Sequence, residues 1–401
     1  MNLRGKKSKK IKLKYSKDEK GYYNKLSNEN KLYIKKYELN INNNKCNEIP
    51  LRFKILNLPI NNSTKFHLIN KYEIFKKLDV NSSEYYKYIN YFNTLMKIPF
   101  NKYHNIDYND NINNFLENSK EILNNVIYGN NNVKSYILQL LSIFITNSET
   151  SPSVFGIQGP QGVGKTTLIK DGLSKCLDNR PIEFINLGGM TDSSYFDGHS
   201  LTYEGAKYGK IVEILIKNQI MNPIIYFDEL DKISQTVQGM EIMDLLMHLT
   251  DPVQNNKFID KYISDINIDL SKCIFVFTYN DREKIHPILL DRIQELEIND
   301  YNPFEKIIIA SKYILPSIFD EIGIDKSKFK LEHNIINYIY MNFANNSIGM
   351  RPIKKILFDL FSKINMLIVS NLNWKLLNLK KNKNIKFPVL ITKDLINLLL
   401  K

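Results

Sequence analysis

The chain has 401 residues, a 43% hydrophobic fraction and a formal net charge of +13. That length accommodates two or three domains, each able to bury its own core. No run of about 18 apolar residues occurs, which argues against a membrane-spanning helix, and the first twenty residues carry nine Lys or Arg with no apolar stretch, which argues against a secretory signal.

In chain order, residues 1–85 are polar and rich in Asn and Lys. Arg4, Lys6, Lys7, Lys9, Lys10, Lys12 and Lys14 form a basic arm. Such an arm is either a solvated tail or a contact for nucleic acid, and it also fits a nuclear address. The Asn, Ile, Lys and Tyr richness continues through the chain and fits an AT-rich coding genome, as in large DNA viruses and protists. A region of part disorder and part small module is expected here, followed by a core over 86–300 and a smaller helical domain over 301–401. Tyr91, Phe92 and Leu95 read as a helix that ends before Pro99. Asn118 to Asn147 has helical spacing broken at Tyr128-Gly129.

Short apolar strands are expected at 154–157, 181–187, 223–227 and 273–278, alternating with helical stretches at 166–177 and 210–219. That alternation predicts an α/β domain with a mostly parallel sheet. After about 301 helical periodicity dominates, with one late strand at 387–391.

The clearest chemical signal is Gly159-Pro160-Gln161-Gly162-Val163-Gly164-Lys165-Thr166, followed by Thr167, set between a strand and a helix. It matches the phosphate-binding loop pattern, in which backbone N–H groups and a helix N-terminus cradle an anion. Lys165 is placed to reach the β- and γ-phosphates of ATP, and Thr166 to ligate Mg²⁺. Next, Ile224 to Phe227 leads into Asp228-Glu229. Asp228 at a strand tip suits Mg²⁺, and Glu229 suits polarising the attacking water; acidic pairs after strands also serve as helix caps. A third strand ends at Asn280, where a polar side chain could position that water. Arg292 offers the fixed donors that suit a γ-phosphate, or else pairs with Asp291 or Glu295. Arg351 opens a C-terminal helix and either contacts nucleotide or merely starts the helix. Cys46, Cys176 and Cys273 show no metal-ligand spacing and fit a reducing, cytoplasmic setting. No metal site built from side chains alone is visible.

Around these residues the chain resembles the ATPase module of Lon proteases. The resemblance runs through Leu187-Gly188-Gly189-Met190, Gly198-His199, Thr202-Tyr203 and Gly209-Lys210-Ile211, then Asn222-Pro223 and Asp228-Glu229-Leu230-Asp231-Lys232. It continues in 251–256 with Phe258, Asp260 and Tyr262, in Leu289-Leu290-Asp291-Arg292, and in Gly349-Met350-Arg351. It implies a P-loop AAA+ core with a parallel sheet and a small, mostly helical C-terminal lid. By the same resemblance Lys165 and Thr166 fall in the Walker A motif, Asp228 and Glu229 in the Walker B motif, Asn280 at sensor 1, Arg292 at the arginine finger and Arg351 at sensor 2. Tyr128 and Gly129 would lie near the adenine. Tyr203 would grip a translocating polypeptide from a pore loop, unless it packs in the core instead. The family further implies a homo-oligomeric ring, a hexamer, acting on polypeptide. A peptidase domain like that of Lon does not fit in the residues after Arg351, so the expected enzyme is an ATPase and not a peptidase by itself. The competing expectation is an AAA+ ATPase that acts on nucleic acid through the N-terminal arm, with Lys207 and Lys210 beside the pore residue. An ATPase that barely turns over is disfavoured by the intact Glu229 and Arg292.

Overall fold

The computed structural model describes residues 16–36, 49–106, 111–147, 154–331, 334–370, 374–377 and 388–400. The basic arm at 4–14 and Cys46 lie outside them. Two compact units divide the chain at Tyr86 and Lys87. In the first, the described residues are helical, with helices Lys17–Lys25, Leu51–Leu56 and Asn62–Phe75. Lys17–Lys25 begins with a capping box between Ser16 and Glu19, and Asn61 caps Asn62–Phe75 through the Thr64 N–H.

The second unit holds a five-stranded sheet of β1 (Val154–Gln158), β2 (Ile182–Asn186), β3 (Ile224–Asp228), β4 (Ile274–Tyr279) and β5 (Gln294–Glu297), in the order β2-β3-β4-β1-β5. Every pairing is parallel. The three inner strands read VFGIQ, IIYFD and IFVFTY and are buried along nearly their whole length. Unbroken apolar text is what a parallel strand covered on both faces requires. Phe227 and Phe277 stack across β3 and β4 with centroids 5.0 Å apart. The edge strands carry charge instead: Glu183 of β2 is paired with Lys217 at 2.7 Å, and β5 reads QELE. Charged edges discourage pairing with a further strand. Strand β5 is absent from the sequence expectation, because four residues with two glutamates give no apolar signature.

Helices Ile112–Val126 and Asn131–Thr146 precede β1, separated at Tyr128-Gly129, where Gly129 and Asn130 have positive φ. A helical stretch at 165–176 follows β1, and its middle, Leu168–Leu173, is wound more widely than an α-helix. The C-terminal part is built from helical 303–322, Ile335–Ile339 continuing to Ala344, Arg351–Val369 and Lys393–Leu400. Two short strands, Phe329–Leu331 and Val389–Ile391, pair in parallel among them. The second of these lies within the expected late strand, whose start at 387 is outside the described residues. Phe319 packs edge-on against Phe361 at 4.9 Å. One continuous apolar core runs from Leu123 and Ile137 through the sheet to Leu360 and Leu399. The C-terminal helices therefore share one apolar core with the sheet. No described helix is long and apolar enough to cross a membrane.

Candidate functional site: a nucleotide cavity at the strand tips

Because all five strands run the same way, their C-terminal ends meet at one edge. A cavity of about 570 Å³ opens there. It is lined by the loop from Gln161 to Thr167, by Asp228, Glu229, Asp231 and Asn280, by Tyr128, and by Arg351. Ligands of open α/β sheets bind outside the carboxyl ends of the strands. Gly162 and Gly164 take φ of 79° and 97°, which turn the loop around the start of the helix. Gly129, Gly159 and Pro160 are not in the lining. Gly159 instead ties β1 to β4 by donating its N–H to the Tyr279 carbonyl at 3.1 Å.

The charged and polar groups are interlocked. Lys165 Nζ donates to Asn280 Oδ1 at 2.9 Å, to the Tyr279 carbonyl at 3.3 Å, and to the Gly159 carbonyl. Burial pulls the Lys165 ammonium below the ordinary lysine range, Asp228 and Asp231 pull it back up, and Arg351 adds to the lowering. Thr166 Oγ1 lies 3.1 Å from the Tyr226 hydroxyl. Burial pushes that phenol up to about 12, so it remains a neutral hydrogen-bonding group. The fully buried Thr278 donates to Asp228 Oδ1, which also accepts the Glu229 N–H at 3.0 Å. Asp231 accepts the Asp281 N–H at 3.3 Å with one oxygen, while its other oxygen is buried without a protein partner. The tips of β3 and β4 are thus cross-bonded next to the loop lysine.

Glu229 has φ 60° and ψ 45°, the left-handed region. A non-glycine residue there is uncommon and costs on the order of 1 kcal/mol. Its carboxylate rests over the backbone of Gly188, where an added Cβ would stand 2.4 Å from Glu229 Oε2. The Gly188 N–H is in turn held by Asn186 Oδ1 at 2.8 Å. Sequence reasoning named Gly188 only as part of a motif; its contact with Glu229 joins β2 to β3 and has no local signature.

Tyr301 was also missed. Its hydroxyl is 3.1 Å from the Val163 carbonyl and 3.4 Å from the Tyr128 carbonyl, and it accepts from Asn130 Nδ2 at 3.0 Å. It links the segment that opens the core to the loop itself. Lys354 lines the cavity one helical turn after Arg351, a spacing that could have flagged it.

Arg292 lies elsewhere. Its guanidinium donates to the Met247 carbonyl and pairs with Asp251 at 3.1 Å, at the end of helix Val237–Thr250. Neither Asp291 nor Glu295 is the partner. Glu295 is taken by a bidentate contact from Arg282 and by the Tyr279 hydroxyl at 2.8 Å. Arg292 is not among the residues lining the cavity of its own chain.

Tyr203 is 67% exposed, so it does not pack in the core. It sits in a loop closed at its base, where the His199 N–H donates to the Lys207 carbonyl at 3.0 Å. Just beyond, the wholly buried Asp260 accepts N–H groups from Gly209, Tyr262 and Ile263. Burial pushes the Asp260 carboxyl up to about 6 although those three donors pull it down. Lys210 is paired with Glu213 at 2.7 Å. Among the described residues the free cysteines Cys176 and Cys273 are both buried, and no cluster of three or more His, Cys, Asp or Glu is placed to hold a metal.

Residues 156–301 match the model of the ATPase family associated with various cellular activities (AAA). The chain is 41% identical over 254 residues to a Lon protease homolog of Acanthamoeba polyphaga mimivirus, covering 63% of this chain and 24% of that relative. It is 36% identical over 254 residues to the mitochondrial Lon protease homolog of Yarrowia lipolytica, covering 63% and 21%. It is 34% identical over 256 residues to the Lon protease of Chlamydia trachomatis, covering 64% and 31%. The chain therefore spans less than a third of the length of these relatives.

Proposed function

From an AAA ATPase domain homologous to that of Lon proteases, we propose that this chain is an ATP-driven motor that pulls on and unfolds polypeptide. The observation that carries the reading is a pairing within one domain: an interlocked phosphate site and, apart from it, an exposed tyrosine on a loop with a fixed base.

In this reading the loop at 159–167 wraps the phosphates of ATP and Lys165 neutralises them. Thr166 and Asp228 hold Mg²⁺. The donor set fits that ion: a hydroxyl and carboxylates, too few to enclose a metal alone, so that phosphate oxygens and water complete the shell. Bound there, the ion offsets charge between the phosphates. Glu229 orients the attacking water, and Asn280 shares that task while steering Lys165. Arg351 reaches the nucleotide from the helical lid, with Tyr128 and Gly129 on the adenine side. Arg292, held away from its own cavity, serves as the finger for a neighbouring subunit, which makes the active species a homo-oligomeric ring, a hexamer. Tyr203 supplies a flat aromatic face that grips passing side chains without sequence preference.

The alternative of a nucleic-acid motor needs basic residues at the same loop. Lys210 is paired with Glu213, which leaves the exposed Lys207 as the basic residue that reading would use. The deciding experiment compares ATP turnover with unfolding of a tagged, folded substrate in wild type and Tyr203→Ala. Retained turnover with lost unfolding is expected. Unfolding at the wild-type rate, with turnover stimulated by DNA or RNA through residues 1–20, would replace this reading with the nucleic-acid one.

A further inference from the structure

The turn that carries Arg351 is held to the phosphate loop by contacts that start from a buried ion pair. Lys306 is 4% exposed. Its ammonium lies 2.7 Å from Asp300 Oδ2 and donates to the Ser347 carbonyl at 2.7 Å. The other oxygen of Asp300 accepts the Gly349 N–H at 3.0 Å and the Tyr301 N–H at 2.8 Å. Gly349 has φ 68°, and a Cβ there would lie 2.2 Å from the Gln161 carbonyl oxygen. The next residue, Met350, donates its N–H to the Gly162 carbonyl at 2.9 Å. Arg351 follows, with its stem against Gly162 and Nη1 3.4 Å from Gln161 Oε1.

We propose that Asp300 and Lys306 form a clasp that positions Arg351 in the nucleotide cavity. The proposal rests on the ATPase reading above for what Arg351 does, but not for how it is held. Two segments far apart in sequence meet at this pair: the stretch from β5 into the first lid helix, and the 345–351 turn. Exposed pairs of this kind contribute little. Here the lysine is buried while Asp300 is partly exposed. Removing the carboxylate therefore strands the ammonium away from water, and removing the lysine leaves the Ser347 carbonyl and the carboxylate without their shared donor. The carboxylate divides its work: one oxygen holds the lysine, and the other holds the Gly349 amide one residue before the Met350 bond to the loop. Loss of the ion pair frees the turn, and with it the register of Arg351 against Gly162. Asp300 and Lys306 are positioning residues, since neither lines the cavity.

The test uses the full chain and the variants Lys306→Met, Asp300→Asn and Arg351→Ala, with each clasp variant also combined with Arg351→Ala. Amide hydrogen exchange across 346–351 is measured without nucleotide, and Mg·ATP turnover is measured for kcat and KM. Lys306→Met is expected to speed exchange at Gly349 and Met350, to lower kcat/KM about tenfold, and to add nothing further in the Arg351→Ala background. Unchanged exchange, or losses that multiply in the double variant, overturns the clasp. If Lys306→Met does not fold, Asp300→Asn decides, because it keeps an oxygen for the Gly349 N–H while it removes the carboxylate charge and turns an amide NH2 on the Lys306 ammonium. Absence of turnover in the wild type would count against the ATPase reading, while the exchange measurement still decides the clasp.

Discussion

The nucleotide cavity and the Tyr203 loop belong to one domain and are built on opposite plans. In the cavity Lys165, Thr166, Asp228 and Asn280 each carry at least one side-chain bond to another functional segment. On the loop, the Tyr203 ring is exposed, although its N–H is held by the Ser200 carbonyl and Lys87 donates to the Thr202 carbonyl, and further bonds lie at the base, around His199, Lys207 and Asp260. Chemistry on a phosphate requires groups fixed before the reaction begins. A grip on a changing polymer requires reach and tolerance. In the proposed reading, the groups that would act on phosphate are cross-bonded through their side chains, while the ring that would grip a polymer is left exposed.

Predictions follow from that contrast in falling order of effect. Arg292→Ala should lower ATP turnover about 10³-fold or more, the scale on which a finger acts, while leaving nucleotide affinity per subunit nearly intact. Mixing it with Lys165→Ala subunits should restore part of the activity. A monomeric preparation that hydrolyses ATP at the full rate would refute the trans role. Glu229→Gln should lower turnover by about a hundredfold or more and retain ATP, which equilibrium binding and single-turnover assays separate. Gly188→Ala tests the fixed plan directly. The new methyl overlaps the Glu229 carboxylate, so kcat should fall about tenfold or more with ATP affinity unchanged; normal kcat would show that the carboxylate need not rest there. Tyr203→Ala should have the smallest effect on the fold itself. Its ring is exposed, so stability should stay within about 0.5 kcal/mol of wild type and ATP turnover within about twofold, as melting and turnover assays on one preparation would report. A clear drop in both would erase the distinction between the two regions.

The same contrast explains what could be read from the sequence. The loop from Gly159 to Thr166 and the Asp228-Glu229 pair are legible because their chemistry lies within a few consecutive residues flanked by apolar strands. The inner strands are legible because burial on both faces leaves no polar letters. Strand β5 escaped because an edge strand needs only Leu296 buried, and QELE then resembles surface helix. Tyr301 and Gly188 escaped for another reason: each acts across segments brought together only by the fold, and the Asp300–Lys306 pair, though local, matters through its contacts with the distant 347–349 turn. The partner of Arg292 escaped in the same way, since Asp251 stands at the end of a different helix. Neighbours in sequence offered Asp291 and Glu295, and the fold chose neither.

The left-handed backbone of Glu229 has a consequence for laboratory evolution. Asparagine and glycine occupy that conformation more comfortably than glutamate does. Selection of random variants for heat resistance alone should therefore accept Glu229→Asn readily, and the survivors would hold ATP without consuming it. Selection that demands turnover would keep the glutamate and accept the lower melting point. If Glu229 has the proposed role, durability and activity pull the gene in opposite directions at this position, and a library screened both ways would reveal the conflict as two diverging populations.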